Sequence, residues 1–296
     1  MALYVQTNTS SINSQRMLAR STRQLDTSYE RLSSGLRINS AKDDAAGLQI
    51  SNRMASQING LTQGNRNAND GISMCQVTEG ALDEVTSMLQ RIRTLAIQSA
   101  NGTNSSAERI AINEEVQQLI KEVRRVGTDT SYGGNLKILG PDVSDTVFQV
   151  GSNAYQTISL TMKSLSKLVT VTASVNILNS SGNIAATIAQ NTTLSKMTVL
   201  SAADSQKTIA FMSEIIRQVD SYRAELGAVQ NRMESTISNQ ENVIENVSDA
   251  RSRIRDVDYA VETANMTQQS IIQQASTTIL TQANQKTQIA MNLLQG

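Results

Sequence analysis

The stretch from residue 54 to residue 100, MASQINGLTQGNRNANDGISMCQVTEGALDEVTSMLQRIRTLAIQSA, decides the fold. It places an apolar side chain at every seventh position: Met54, Leu61, Ala68, Cys75, Leu82, Leu89 and Ala96. That period is close to two helical turns, so these side chains line one narrow seam along a long helix. At roughly 1.5 Å per residue, about fifty residues make a helix of about 75 Å. Such a helix cannot bury its seam alone. A second seam lies near the other end of the chain: Met212, Val219, Leu226 and Met233, then Gln240, then Val247, Ile254 and Val261. Each seam can cover the other. The pattern predicts a mainly α fold, a long antiparallel helical bundle or coiled-coil rod formed by the N- and C-terminal halves, and therefore a structural job.

Composition narrows the function. Among 296 residues, Lys plus Arg and Asp plus Glu both count 26, so formal net charge is zero. A neutral chain has no electrostatic pull toward nucleic acid or an anionic membrane, and its charge does little to oppose self-association. Two Phe, six Tyr and no Trp leave the packing to aliphatic residues and Met. Pro141 is the one proline, so almost nothing breaks a helix. Histidine is absent, which removes the commonest general base, nucleophile activator and metal ligand. Cys75 is the one cysteine and sits on the seam, where it reads as a small buried residue and not a reactive thiol. Phosphate-cradling glycine loops, paired-cysteine spacings and nucleophile elbows are all missing. The chain reads as no enzyme, with no cofactor and no metal. Residues Met1 to Asn8 have neither the charged start nor the apolar core of a secretory signal, and no run approaches the roughly 18 apolar residues that span a bilayer. An extracellular fate would need a route that cleaves no signal.

Residues 1–45 are polar with a sparse stripe, Ile12, Leu18, Leu25, Leu32 and Leu36, in which Leu18, Leu25 and Leu32 again stand seven apart. Ser33-Ser34-Gly35 and Asn39-Ser40 interrupt it. A helix restart near Ser40 would place Asp43 and Asp44 in a first turn, where negative charge suits the helix dipole. Asn101 to Ser106 signals a turn. A further helix follows, with Ile110, Val116, Leu119, Ile120, Val123 and Val126 on its apolar side. Leu136–Leu139, Thr146–Val150 and Thr157–Met162 read as small strands or hairpins. Residues 167–203 are rich in Ser, Thr, Asn and Ala, with a turn at Asn179–Asn183, and read either as a compact outer bump or as an irregular loop. Helix resumes near Ser205 and runs to about Asp249. In the last segment Ile272 and Ile279 stand seven apart, and Leu294 continues its apolar positions. The terminal helices carry too little apolar surface to fold alone and should order only on assembly.

Two runs carry a family resemblance. Leu32-Ser33-Ser34-Gly35-Leu36-Arg37-Ile38-Asn39-Ser40-Ala41-Lys42-Asp43-Asp44-Ala45-Ala46-Gly47-Leu48, with Asn69-Asp70-Gly71-Ile72-Ser73 and Glu79-Gly80-Ala81-Leu82, resembles the N-terminal signature of bacterial flagellin. Ala250-Arg251-Ser252-Arg253-Ile254-Arg255-Asp256-Val257-Asp258-Tyr259-Ala260 and Gln282-Ala283-Asn284-Gln285 resemble its C-terminal signature. The likeness covers about 1–165 and 204–296. It implies a subunit that self-assembles into the helical flagellar filament used for swimming, exported unfolded through the flagellum's own secretion channel. It further implies an extracellular location and partners in an export chaperone and a filament cap. The implied layout is a terminal helical pair (1–45 with 255–296) forming the inner tube, a helical rod with a small β region (46–166 with 204–254), and a short central insertion (167–203) in place of outer domains. The family also contains a stretch read by a vertebrate Toll-like receptor. The corresponding positions are Gln90, Arg91, Leu95, Gln98 and Glu115, with Thr94 where well-recognised members often carry Glu.

Blander readings stand beside these. Adjacent Asp43 and Asp44 point about 100° apart on a helix and do not converge on a metal. Arg251, Arg253 and Arg255 with Asp256 and Asp258 read as a solvated face, or as inter-subunit pairs worth about 0–1 kcal/mol each. Arg91 and Arg93 read as solvated residues on a packed helix. Leu18, Leu25, Leu32, Ile272, Ile279 and Leu294 are the assembly seams. Met54, Leu61, Ala68, Cys75, Leu82, Leu89, Met212, Val219, Leu226 and Met233 are the core seam. The rival functions are a hook–filament junction protein, separated by copy number, and a monomeric helical adhesin, separated by ordered ends and failure to polymerise.

Overall fold

A computed structural model of the chain describes residues 7–134, 136–171, 175–178, 184–188 and 192–295. The fold is mainly α. Three helices open it: α1 (Thr9–Ser34), α2 (Ala45–Ala100) and α3 (Ser106–Asp129). Short strands follow: β1 (Ser131–Tyr132), β2 (Leu136–Lys137), β3 (Thr146–Gln149) and β4 (Thr157–Leu160). A one-turn helix α4 (Leu165–Leu168) precedes β5 (Thr170–Val171), β6 (Val175–Leu178), β7 (Ile184–Ile188) and β8 (Thr192–Thr193). Two long helices close the chain, α5 (Ala202–Arg255) and α6 (Tyr259–Gln295). Packing divides it into a terminal unit, residues 1–58 with 243–296, and a central unit, residues 59–242.

The central unit holds the main core. The α2 seam residues Cys75, Leu82, Leu89 and Ala96 are buried with Val85 and Ile92 one turn away, which widens a narrow seam into a full apolar face. They meet Phe211, Met212, Ile215, Val219, Tyr222 and Leu226 of α5, and Val116, Ile120 and Val123 of α3. The pairing of α2 with α5 is antiparallel: Gly71 faces Met233, Gly64 lies beside Gln240, and Arg223 reaches Asp83 at 3.2 Å and Glu79 at 3.9 Å. Leu61 and Ala68 are buried too, while Met54 is half-buried in the terminal unit. Ile110, assigned above to the apolar side of α3, is instead exposed. Aliphatic residues do not do all of the packing either. Phe211 and Tyr222 are fully buried, and the Tyr222 hydroxyl accepts from the Lys163 N–H at 3.2 Å and donates to the Thr161 carbonyl at 3.3 Å.

Local chemistry sets the element ends. The turn after α2 stops at Ser105, whose hydroxyl accepts from the Glu108 N–H at 3.4 Å while the Glu108 carboxylate accepts from the Ser105 N–H at 2.6 Å, a reciprocal cap on α3. Helix α2 begins at Ala45, not near Ser40, because the Ser40–Asp43 segment is a turn. Helix α5 starts at Ala202 and runs to Arg255, past the expected end at Asp249. Strands β3 and β4 form an antiparallel hairpin with Phe148 opposite Ile158. Residues 167–203 contain paired strands and not a bare loop. Strand β5 pairs with β8, β6 pairs with β7, and both pairings are antiparallel. The turn expected at Asn179–Asn183 lies outside the described residues.

Cys75 is fully buried, and burial, with Glu79 nearby, pushes its thiol up to about 11. The thiol ionises at lower pH in the unfolded chain than in the folded one. Its contribution to stability is therefore intact below about 9 and is lost as pH rises toward about 11. Folded protein at pH 8 is expected to resist an aromatic disulfide reagent, and denaturant should release one reactive thiol per chain. Fast labelling of the native protein would contradict the buried placement.

Candidate functional site

The terminal unit carries both signature runs, and the backbone explains why they belong together. Gly35 closes α1 at φ 71, a left-handed conformation that favours glycine, and a side chain there would meet the Tyr259 hydroxyl at 3.1 Å. Leu36 then pairs with Asp256 in an antiparallel bridge. The Arg37 N–H donates to the Arg255 carbonyl at 2.7 Å, and the Val257 N–H donates to the Gly35 carbonyl at 3.1 Å. The break between α1 and α2 is thus stitched to the break between α5 and α6. Ile38 is buried at this junction, and a Cβ on Gly47 would lie 2.7 Å from it.

Both carboxylates beside the junction are engaged by the backbone. Asp43 accepts from the N–H groups of Asn39 and Ser40 and from the Ser40 hydroxyl, and the Ser40 N–H above all holds its carboxyl below the usual range. Asp44 accepts from the Gly47 N–H at 2.9 Å and caps α2. Their geometry is that of a turn and a helix start. Arg253 pairs with Asp249 on its own helix at 2.6 Å, with both side chains largely exposed.

Helices α1 and α6 pack antiparallel along a polar seam. Ser14, Ser21 and Ser28 are buried at seven-residue spacing, with Ser11 beside them. On α6 the facing row is Glu262, Gln269, Ser276 and Ala283, also seven apart. Ser28 donates to Glu262 Oε1 at 2.5 Å, Ser21 to the Gln269 carbonyl at 2.9 Å, Ser11 to Asn284 Oδ1 at 2.9 Å, and Asn8 to the Ala283 carbonyl at 2.8 Å. Arg31 completes the Glu262 layer at 3.6 Å. Bonds from side chain to opposing backbone require close approach, which small serines allow.

The apolar side chains lie elsewhere. Leu18, Leu25 and Leu32 are half-buried at the edge of the serine row. Ile12, Met17, Tyr29, Val261, Ile271, Ile272 and Ile279 are exposed, from 37% at Ile272 to 60% at Ile271. Ile272 and Ile279 thus form a row three residues along from the seam that faces α1. The side chain of Leu294 lies outside the described residues. The sequence reading missed the serine row because it searched for apolar residues, although the spacing of seven was present in Ser14, Ser21 and Ser28 too.

The remaining positions singled out above sit in the central unit. Gln90, Arg91, Gln98 and Glu115 are exposed, and the Arg91 guanidinium bonds Glu115 Oε1 through Nε at 3.0 Å and Nη2 at 2.8 Å. Leu95 is only 2% exposed and belongs to the core. Its side chain is not offered at the surface with the others.

The profile of the bacterial flagellin N-terminal helical region matches residues 5–139, and that of the C-terminal helical region matches residues 209–294. Polar flagellin A of Vibrio parahaemolyticus is 39% identical over 376 positions, covering 99% of this chain and 100% of that protein. Flagellin A of Vibrio cholerae is 38% identical over 380 positions, covering 100% of both. Alignments of 376 positions for a chain of 296 residues mean that the relatives carry segments this chain lacks. Among solved structures, Bacillus cereus flagellin superposes with a TM-score of 0.47 at 23% identity, over 59% of this chain and 88% of that one. On the profile matches and the full-length identity, the chain belongs to the bacterial flagellin family.

Proposed function

We propose that the terminal helix pair is an assembly element built inside out, and that its outer apolar row is what drives polymerisation. As a flagellin the chain is a structural filament subunit serving motility and not an enzyme. The observation that carries the mechanism is the inversion in the terminal unit, where serines and a glutamate face the partner helix while isoleucines face out. Fully burying an Ile contributes about 1.5–3 kcal/mol. Ordering backbone costs about 1–2 kcal/mol per residue. A pair whose internal seam is polar recovers too little of that cost within one chain. Neighbouring copies must supply the rest by covering Ile271, Ile272, Ile279, Ile12 and Met17. Growth is then nucleated and proceeds from ends.

In this reading residues 1–45 with 255–296 line the inner tube, 46–166 with 204–254 form the surrounding layer, and 167–203 are a short insertion. The chain leaves the cell through the flagellar channel, escorted by an export chaperone and placed by a filament cap. A host Toll-like receptor would find Gln90, Arg91, Gln98 and Glu115 at the surface, with Leu95 withheld.

The test is electron microscopy of purified monomer after adding short filament seeds at neutral pH. Tubes of uniform diameter growing from the seeds are expected. Monomer that stays monomeric beside competent seeds would overturn the filament reading in favour of a junction protein or an adhesin.

A further inference from the structure

The hairpin β3–β4 ends in a feature that the fold itself does not need. Tyr155 is 96% exposed at the tip. It holds φ 65, and among the described residues it alone, glycines aside, lies at positive φ. An L side chain rarely adopts that conformation, and such strain marks function when the surroundings enforce it. They do so here. The Val150 and Gly151 N–H groups both donate to the Gln156 carbonyl, at 3.0 and 3.1 Å. The Gln149 amide donates to the Gly151 and Asn153 carbonyls at 2.9 and 2.6 Å, and the Asn153 N–H donates to Gln156 Oε1 at 3.1 Å. The base of the tip is fixed to the helices by Asn67 and Gln240, which bond the Gln149 and Val150 carbonyls at 2.8 and 2.7 Å. A chain with fifteen glycines and eight aromatic rings places a ring where glycine would be relaxed, and braces it in full solvent.

The same unit has a recess for such a ring. A cavity of about 460 Å³ lies between α3, α4 and the segment after β8. Val123, Gly127, Leu139, Leu165 and Leu194 give it apolar walls, with serine and threonine hydroxyls among its lining. Arg124 also lines it and has no ion-pair partner among the described residues. Gly127 keeps the recess open, since a Cβ there would meet Leu165 at 2.7 Å. Apolar walls suit the ring, hydroxyls suit the phenol, and a guanidinium suits the ring face. Tyr155 does not fill the cavity of its own chain, because it is in solvent.

We infer that Tyr155 of one copy seats in the Val123–Gly127–Leu165–Leu194 cavity of a second copy. Knob and recess are different patches of one surface, so the contact is head-to-tail and propagates instead of closing. The inference rests on the filament reading and adds a specific contact to it. A rigid, pre-formed aromatic loses little freedom on docking and acts as an anchor.

Two variants and one cross-link test it. Tyr155→Gly relieves the backbone strain, so its monomer should unfold at the parental temperature or above. It should nevertheless elongate seeds about tenfold more slowly than the parent, while Tyr155→Phe stays near parental. A benzophenone amino acid at 155, in filaments mixed from isotopically heavy and light copies, should cross-link between copies to residues 123–128, 164–169 or 193–195. Tyr155→Gly elongating at the parental rate, or cross-links lying elsewhere, overturns the contact while leaving the filament reading intact. Failure of the unmodified chain to elongate seeds overturns both.

Discussion

Gly64→Ala is expected to cost about 3 kcal/mol of stability, against the direction that helix propensity alone dictates. Alanine is favoured over glycine inside a helix by about 1 kcal/mol, and Gly64 lies within α2. A Cβ at this position would stand 1.9 Å from the Val150 carbonyl oxygen and 2.7 Å from its carbon. Those atoms are backbone, not the flexible end of a side chain. The carbonyl is also the acceptor for the buried Gln240 amide at 2.7 Å. Moving it away leaves a donor unpaired inside the apolar seam, beside a Gln240 Oε1 that already has no partner among the described residues. Overpacking therefore outweighs propensity. By thermal unfolding the variant should melt roughly 6–12 °C below the parent. Gly227→Ala is the control, since nothing lies within 4 Å of its added Cβ, and it should be neutral or stabilising. If Gly64→Ala melted like Gly227→Ala, the hairpin would not be docked as described.

Removing residues 280–296 is expected to abolish seeded elongation, by at least about 100-fold, while leaving the central unit folded. The truncation takes away Ala283 and Asn284, the partners of Asn8 and Ser11, and shortens the outer apolar row beyond Ile279. It touches none of the main core, whose residues lie between Met74 and Leu226. Circular dichroism should show an unchanged cooperative transition for that core. Microscopy should show seeds that do not lengthen. Filaments built from the truncated chain would sink the role given to α6.

The long helices were legible because their apolar residues recur at the period that packing requires. Leu82 with Leu89 on α2, and Met212 with Val219 on α5, are where spacing of seven placed them, fully buried. The β3–β4 hairpin followed from β-branched runs on either side of a turn. The terminal pair was legible in existence but not in orientation. Two rows on α6 share a period of seven, and polarity pointed to Ile272 and Ile279, whereas close approach of two backbones selects the row with Ser276 and Ala283. Leu95 belongs to the buried face with Ile92 and Leu89, three and six residues away, and helical spacing alone carried that information. Tyr155 left no sequence signal, because strain at one φ depends on a loop braced from both strands. The pairings of β5 with β8 and β6 with β7 join segments whose composition suits a loop equally well.

The bond from Asn8 to Ala283 joins residues 275 positions apart, and Gly64 lies beside Gln240 across roughly two-thirds of that separation. Contacts of that separation form only after a large loop has closed, which is slow. Helix α3 covers part of the α2 face from nearby in sequence, but the α1 seam and the Ala68 end of the α2 seam meet their helical partners only across long separations. Both helical pairings wait for the last third of the chain, so a partly emerged copy remains thin and open. The topology acts as a clock, with the carboxyl-terminal helices giving the signal to fold.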